Sequence, residues 1–192
     1  GEATAILAGD GLLHQAYETF IKIFDTEIST RTVKALKIFG DKTGINGMLG
    51  GQSADVLHTG EIISDELLYY IYEKKTGALI EGAMLTGSVL AGCNDEDLAK
   101  IKRVGELVGL AFQIKDDILD IYGNEKEIGK PLHSDEKNNK KTYITINGIE
   151  KSEHDIVVMS EEACDIVSSI GNDVEERDFI IKLIKYLTDR TY

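Results

Sequence analysis

The sequence predicts an all-α protein. Three observations carry this: a single proline in 192 residues, a dense content of helix-forming residues, and long runs in which apolar residues recur at helical rather than alternating spacing. The length suits one domain and is enough to bury a sizeable core. Apolar residues at 42% with 29% charged residues are ordinary for a soluble globular chain. The net charge of -13 argues against a nucleic-acid binder, which needs a basic face, and is compatible with binding cations. Cys93 and Cys164 lack metal-ligand spacing and read as reduced thiols of a cytosolic protein. No signal peptide and no run long enough for stable membrane insertion is present.

The elements follow in order. Residues Glu2 to Phe24 read as an apolar helix with Ala5, Leu12, Leu13, Ala16, Phe20 and Ile23 on buried sides, interrupted at Gly9-Asp10-Gly11. Helical glycines cost about 1 kcal/mol each relative to alanine, so close packing is expected there. Asp10 reads as a helix aspartate bonded to a neighbouring helix in preference to a functional one. Thr30 to Phe39 is a short amphipathic helix, and Gly40 to Gly44 a loop. Gly47 to Val56 carries paired glycines that allow close approach, with Gln52 and Asp55 on one face. Ser64 with Asp65 and Glu66 starts a helix through Leu67 to about Ala91. Within it, Lys74 and Lys75 taken alone read as a solvated face. Asn94 caps a further helix that ends at Gly123, and Ser152 to Ile170 and Asp173 to Leu187 complete the set. His14, His58, His133 and His154 are scattered and read as surface or packing residues.

The chemistry concentrates in Phe112-Gln113-Ile114-Lys115-Asp116-Asp117-Ile118-Leu119-Asp120. On a helix Asp116 and Asp120 lie one turn apart on one face, with Asp117 beside them. Like charges this close repel, and when buried they need cations. Carboxylates with waters and substrate phosphates are the ligands Mg²⁺ prefers. The polar stretch from Gly129 to Tyr143 follows, and its lysines are suited to neutralising a phosphate beside the carboxylates; the plainer reading is a solvated loop.

Four blocks stand in order: Gly50-Gly51-Gln52-Ser53-Ala54-Asp55; Lys75-Thr76-Gly77-Ala78-Leu79; the aspartate stretch; and Gly129-Lys130-Pro131 with Ser134 to Lys140. Together they resemble the trans-isoprenyl diphosphate synthases, with the bacterial farnesyl and geranylgeranyl synthases as the best likeness, over nearly the whole chain. The resemblance implies an all-α bundle around a central cavity, usually dimeric, that joins an allylic diphosphate to isopentenyl diphosphate with three Mg²⁺. Carried over by position, Asp116, Asp117 and Asp120 are the second aspartate-rich motif. All three are assigned to the metal site, Asp116 by direct Mg²⁺ ligation and Asp117 and Asp120 by shaping the site directly or through water. Lys75, Lys130 and Lys140 are assigned to the allylic diphosphate, Thr76 and Gln113 to the cavity near the reacting carbons, and Phe112 to the isopentenyl group. Gln52 and Asp55 are assigned to the cavity wall.

Two departures go with this. The family's first aspartate-rich motif and its arginine pair belong just before Gly1 and are not in this sequence. The chain is therefore taken as the later, single-domain part of a longer protein, inactive by itself. Thr142-Tyr143-Ile144 stands where the family continues Thr-Tyr-Pro, and the extra Lys141 makes it a rival to Lys140. Two other readings stand beside the synthase: a terpene synthase-like lyase on the same fold, and a non-catalytic subunit or truncated remnant partnering a complete synthase.

Overall fold

The longest helix organises the chain and is buried on most of its faces. The computed structural model describes residues 1–123, 140–171 and 174–190, which form helices and connecting turns with no strand among them. In chain order these are α1 (Glu2–Ile21), a 3₁₀ turn (Lys22–Asp25), α2 (Thr30–Thr43), α3 (Met48–Leu57), α4 (Asp65–Ile71), a π-helical segment (Tyr72–Gly77), α5 (Ala78–Leu90), α6 (Asp95–Tyr122), α7 (Tyr143–Asn147), α8 (Ile149–Ser168) and α9 (Val174–Asp189). The side chain of Asn94 caps α6 by accepting from the Asp97 amide at 2.9 Å, and Asp95, Glu96 and Asp97 complement the helix dipole in the first turn.

Helix α6 packs against α5, α8, α9 and the π-helical segment. One core joins its Val104, Leu107 and Val108 to Ala163, Val167 and Ile184. A second joins Ala111, Ile114 and Ile118 to Leu68, Ile71, Tyr72, Tyr143 and Ile156. Ile114 is fully buried, and burial of such a side chain contributes about 1.5–3 kcal/mol. Gly109 sets the approach of α6 to the α4–α5 rod: a Cβ there would lie 2.6 Å from the Gly77 Cα. Alanine at this place would push the two helices apart.

Several expectations need correction. Helix α1 runs unbroken through Gly9-Asp10-Gly11, and a Cβ on either glycine would meet nothing within 4 Å. None of its residues is buried, and Leu12 is 74% exposed. Tyr17 and Phe20, near its C-terminal end, pack on Phe39 of α2. The apolar pattern therefore marks a face that needs covering, and no described element covers Ala5, Leu12, Leu13 or Ala16. Helix α2 continues a turn beyond Phe39 to Thr43, where Lys42 reaches the buried Glu81 of α5 at 2.6 Å. The short helix α7 begins at Tyr143, the last residue of the expected loop, and fills a span for which no element was expected. Its capping box, Thr142 with Thr145, explains it.

Candidate functional site

The α4–α5 rod changes to a π-helix at Tyr72–Gly77, the segment that carries Lys75 and Thr76. Single π turns inside α-helices often mark functional sites, because the extra residue in the turn re-aims neighbouring side chains. Helix α3 lies directly on this segment. A Cβ on Gly51 would stand 2.2 Å from the Lys75 amide nitrogen, so only glycine permits the contact. One turn further along α3, Asp55 is thereby brought to the lysine.

Asp55 is the meeting point of two cations. Lys75 Nζ donates to its Oδ2 at 2.6 Å, and Lys140 Nζ donates to its Oδ1 at 2.8 Å. The lysines come from positions 20 residues after and 85 residues after the aspartate. Burial pushes the Asp55 carboxyl up, but the hydrogen bonds and charges of Lys140 and Lys75 outweigh it and hold its pKa below the ordinary value. Lys141 turns the other way, donating to the Ile63 carbonyl at 2.9 Å and to the Asp65 carboxylate. Two ammonium groups thus share one carboxylate, and each keeps donors to offer an anion.

Around this trio lies a cavity of about 80 Å³, lined by Tyr72, Gln113, Asp117 and Thr142 among others. Thr76 Oγ1 donates to Gln113 Oε1 at 2.9 Å across the gap between the π segment and α6. Gln52 sits half-buried on α3. Lys130 lies outside the described residues.

The three aspartates of α6 meet different surroundings. Asp117 is 3% exposed and accepts hydrogen bonds from the Tyr72 hydroxyl and from the Tyr143 amide at 3.0 Å. The same amide lies 3.1 Å from the Tyr72 oxygen, and the Tyr143 hydroxyl donates to Asp155 at 2.7 Å. Burial first, and then the Asp155 carboxylate, push the Tyr143 phenol well above the ordinary tyrosine range. Asp120 is also 3% exposed. Asp116 is the open one of the three. It pairs with Arg190, the residue after α9, which also donates to the Phe112 carbonyl at 3.3 Å. Among the described residues no group of three or more His, Cys, Asp and Glu side chains forms a ready metal cage. One accessible carboxylate does fit a hard cation whose remaining ligands are waters and phosphate oxygens.

Thus Asp55, Lys75, Thr76, Gln113, Asp117 and Lys140 meet in one place, while Phe112 and Asp116 face the next side of α6. Tyr72, Tyr143 and Arg190 were not singled out from the sequence. The first two anchor a buried carboxylate, which no spacing rule announces, and Arg190 lies 74 residues from its partner.

Comparison with known proteins identifies the family of the chain. The family model described as polyprenyl synthetase matches residues 1–183. Farnesyl diphosphate synthase of Bacillus subtilis is 33% identical over 195 residues, covering 100% of this chain and 64% of the relative. Farnesyl diphosphate synthase of Geobacillus stearothermophilus is 40% identical over 144 residues, covering 74% of this chain and 48% of the relative. A solved geranyltransferase from Helicobacter pylori, in complex with magnesium and isoprenyl diphosphate, superposes with a TM-score of 0.79 at 27% identity, covering 95% of this chain and 59% of that one. The chain spans from about half to just under two thirds of the length of these relatives. A match over nearly the whole chain, joined to the shared all-α fold, shows that this chain belongs to the polyprenyl synthetase family.

Proposed function

We propose that this chain supplies the diphosphate-binding part of an isoprenyl diphosphate synthase. That enzyme condenses an allylic diphosphate, dimethylallyl or geranyl, with isopentenyl diphosphate to a short-chain product such as farnesyl diphosphate. The observation that carries the reading is the convergence of Lys75 and Lys140 on Asp55, beside Thr76 and Gln113. The names of the relatives supply the substrate class.

In this reading Lys75 and Lys140 hold the diphosphate oxygens of the allylic substrate, and Lys130 joins them. Their charge favours heterolysis of the carbon–oxygen bond, in which the electron pair leaves with the diphosphate. The oxygens of Thr76 and Gln113 face the allylic cation that remains. The double bond of isopentenyl diphosphate, held against Phe112, attacks that cation, and loss of a proton from the adjacent carbon restores a neutral alkene. Asp116 would hold Mg²⁺, which when bound would supply further charge to the leaving group. Asp117 and Asp120 shape the metal site directly or through water, and Gln52 and Asp55 form the wall. The family's complement of three ions and its homodimer belong to the same reading, as does a single all-α domain in the cytoplasm.

The test uses the full-length protein and the isolated 192-residue chain together. With Mg²⁺ and both substrates, the full-length protein forms product and the isolated chain forms none. Asp116→Ala in the full-length protein lowers Mg²⁺-dependent condensation by more than about tenfold, equivalent to ~1.4 kcal/mol of transition-state stabilisation. Product from the isolated chain, or a smaller loss in the variant, overturns the corresponding assignment.

A further inference from the structure

We infer that Arg190 is a latch on α6: it holds Asp116 and covers Phe112, and a divalent cation bound through Asp116 displaces it. The inference rests on the proposed role of Asp116 as a metal ligand. Three contacts define the latch. The guanidinium pairs with the Asp116 carboxylate and donates to the Phe112 carbonyl at 3.3 Å. Its centre also stands 3.8 Å from the Phe112 ring centroid, within cation–π range. Both residues that the latch engages lie on one face of α6, a single helical turn apart.

The same geometry makes the latch releasable. Arg190 Nε is buried and has no hydrogen-bonding partner among the described residues, so the closed position leaves one donor unsatisfied. Helix α9 is anchored upstream of the arginine by Ile184 and Thr188, both nearly fully buried. Release therefore needs movement only beyond Thr188. A cation seated on the Asp116 carboxylate would stand beside the guanidinium, and the two positive charges repel. Of the three α6 aspartates, Asp116 is the one open to an arriving ion, its side chain being 31% exposed. By linkage, whatever metal binding does to Arg190, removal of Arg190 does in reverse to metal binding.

The experiment follows the metal at its own site in the ¹⁵N-labelled full-length protein. Mn²⁺ is titrated in the presence of inorganic pyrophosphate, and paramagnetic broadening of the residue-116 amide signal is read. In Arg190→Gln the midpoint falls about tenfold relative to wild type, within the ordinary range of coupling. Arg190→Lys, which keeps the charge but not the planar fork, falls in between. In the wild type, Mg²⁺ with pyrophosphate speeds hydrogen exchange at the amides after Thr188. An unchanged or higher midpoint in Arg190→Gln, while Asp116→Asn abolishes the broadening, overturns the latch and leaves the metal assignment standing. Unchanged exchange in the wild type overturns the latch without reference to any variant. Broadening in Asp116→Asn equal to wild type overturns the metal assignment and the latch with it.

Discussion

Replacing Asp55 by asparagine removes one charge and keeps the shape, and its effect follows from the geometry. Asp55 accepts from Lys75 at 2.6 Å and from Lys140 at 2.8 Å, and its side chain is only 13% exposed. Hydrogen bonds to charged groups contribute about 1.5–3 kcal/mol each. Asparagine keeps one neutral acceptor, so one bond is lost, the other is weakened, and two ammonium groups are left facing each other. The expected cost is about 2–4 kcal/mol. For a chain of this size each kcal/mol moves the melting point by about 2–4 °C, so a drop of roughly 5–15 °C is expected at pH 7. The pH dependence has a definite sign. The folded-state pKa of Asp55 lies below its ordinary value. Its contribution is therefore fully present above the unfolded pKa, near 3.9, and is lost as pH falls through the folded value. Urea denaturation of wild type and Asp55→Asn from pH 7 down to pH 3 measures the difference. The gap narrows below about pH 4. A gap under about 1 kcal/mol at pH 7, or one that stays constant to pH 3, refutes the account of Asp55 as a carboxylate held by two lysines.

Two further predictions separate neighbouring residues. Lys140→Gln weakens binding of inorganic pyrophosphate by about tenfold or more in calorimetric titration, whereas Lys141→Gln changes it less than about twofold. The reason is that Lys140 faces Asp55 and Lys141 faces Asp65. Equal losses in the two variants would undo the assignment of Lys140. Lys42→Met strands Glu81, whose side chain is 5% exposed and whose Oε1 already lacks a partner, and it costs about 3–5 kcal/mol by urea denaturation. Adding Glu81→Leu recovers most of that loss, and a double variant no more stable than the single one would show that the ion pair is not the source.

How much was legible in the sequence differs between elements. Helix α6 could be bounded at both ends, since Asn94 with the acidic first turn, and Gly123 at the other end, each act within a few residues of the terminus they mark. The π-helical turn was not legible. The stretch from Ser64 to Ala91 reads as one rod, and its extra residue at Tyr72–Gly77 accompanies the seating of Gly51 on that segment, a contact between distant parts of the chain. The choice of Lys140 over Lys141 was open for the same reason. Adjacent residues point to different sides, and only the position of Asp55 distinguishes them.

The sequence alone determined that the chain is helical, where its longest helices run, and that carboxylates and lysines recur in the order of a diphosphate-handling family. These properties rest on short-range physics: intrahelical hydrogen bonding, capping, and the repeat that brings residues one turn apart onto a face. Tertiary structure alone decided which charges meet. Asp116 and Asp117 are chain neighbours, yet a step of one residue around α6 turns the first toward Arg190 and the second toward Tyr72 and Tyr143. Charge pairing across 20, 74 and 85 residues depends on how packed helices are rotated about their axes. That rotation is set by close contacts such as Gly51 on Lys75 and Gly109 on Gly77, which no local pattern contains.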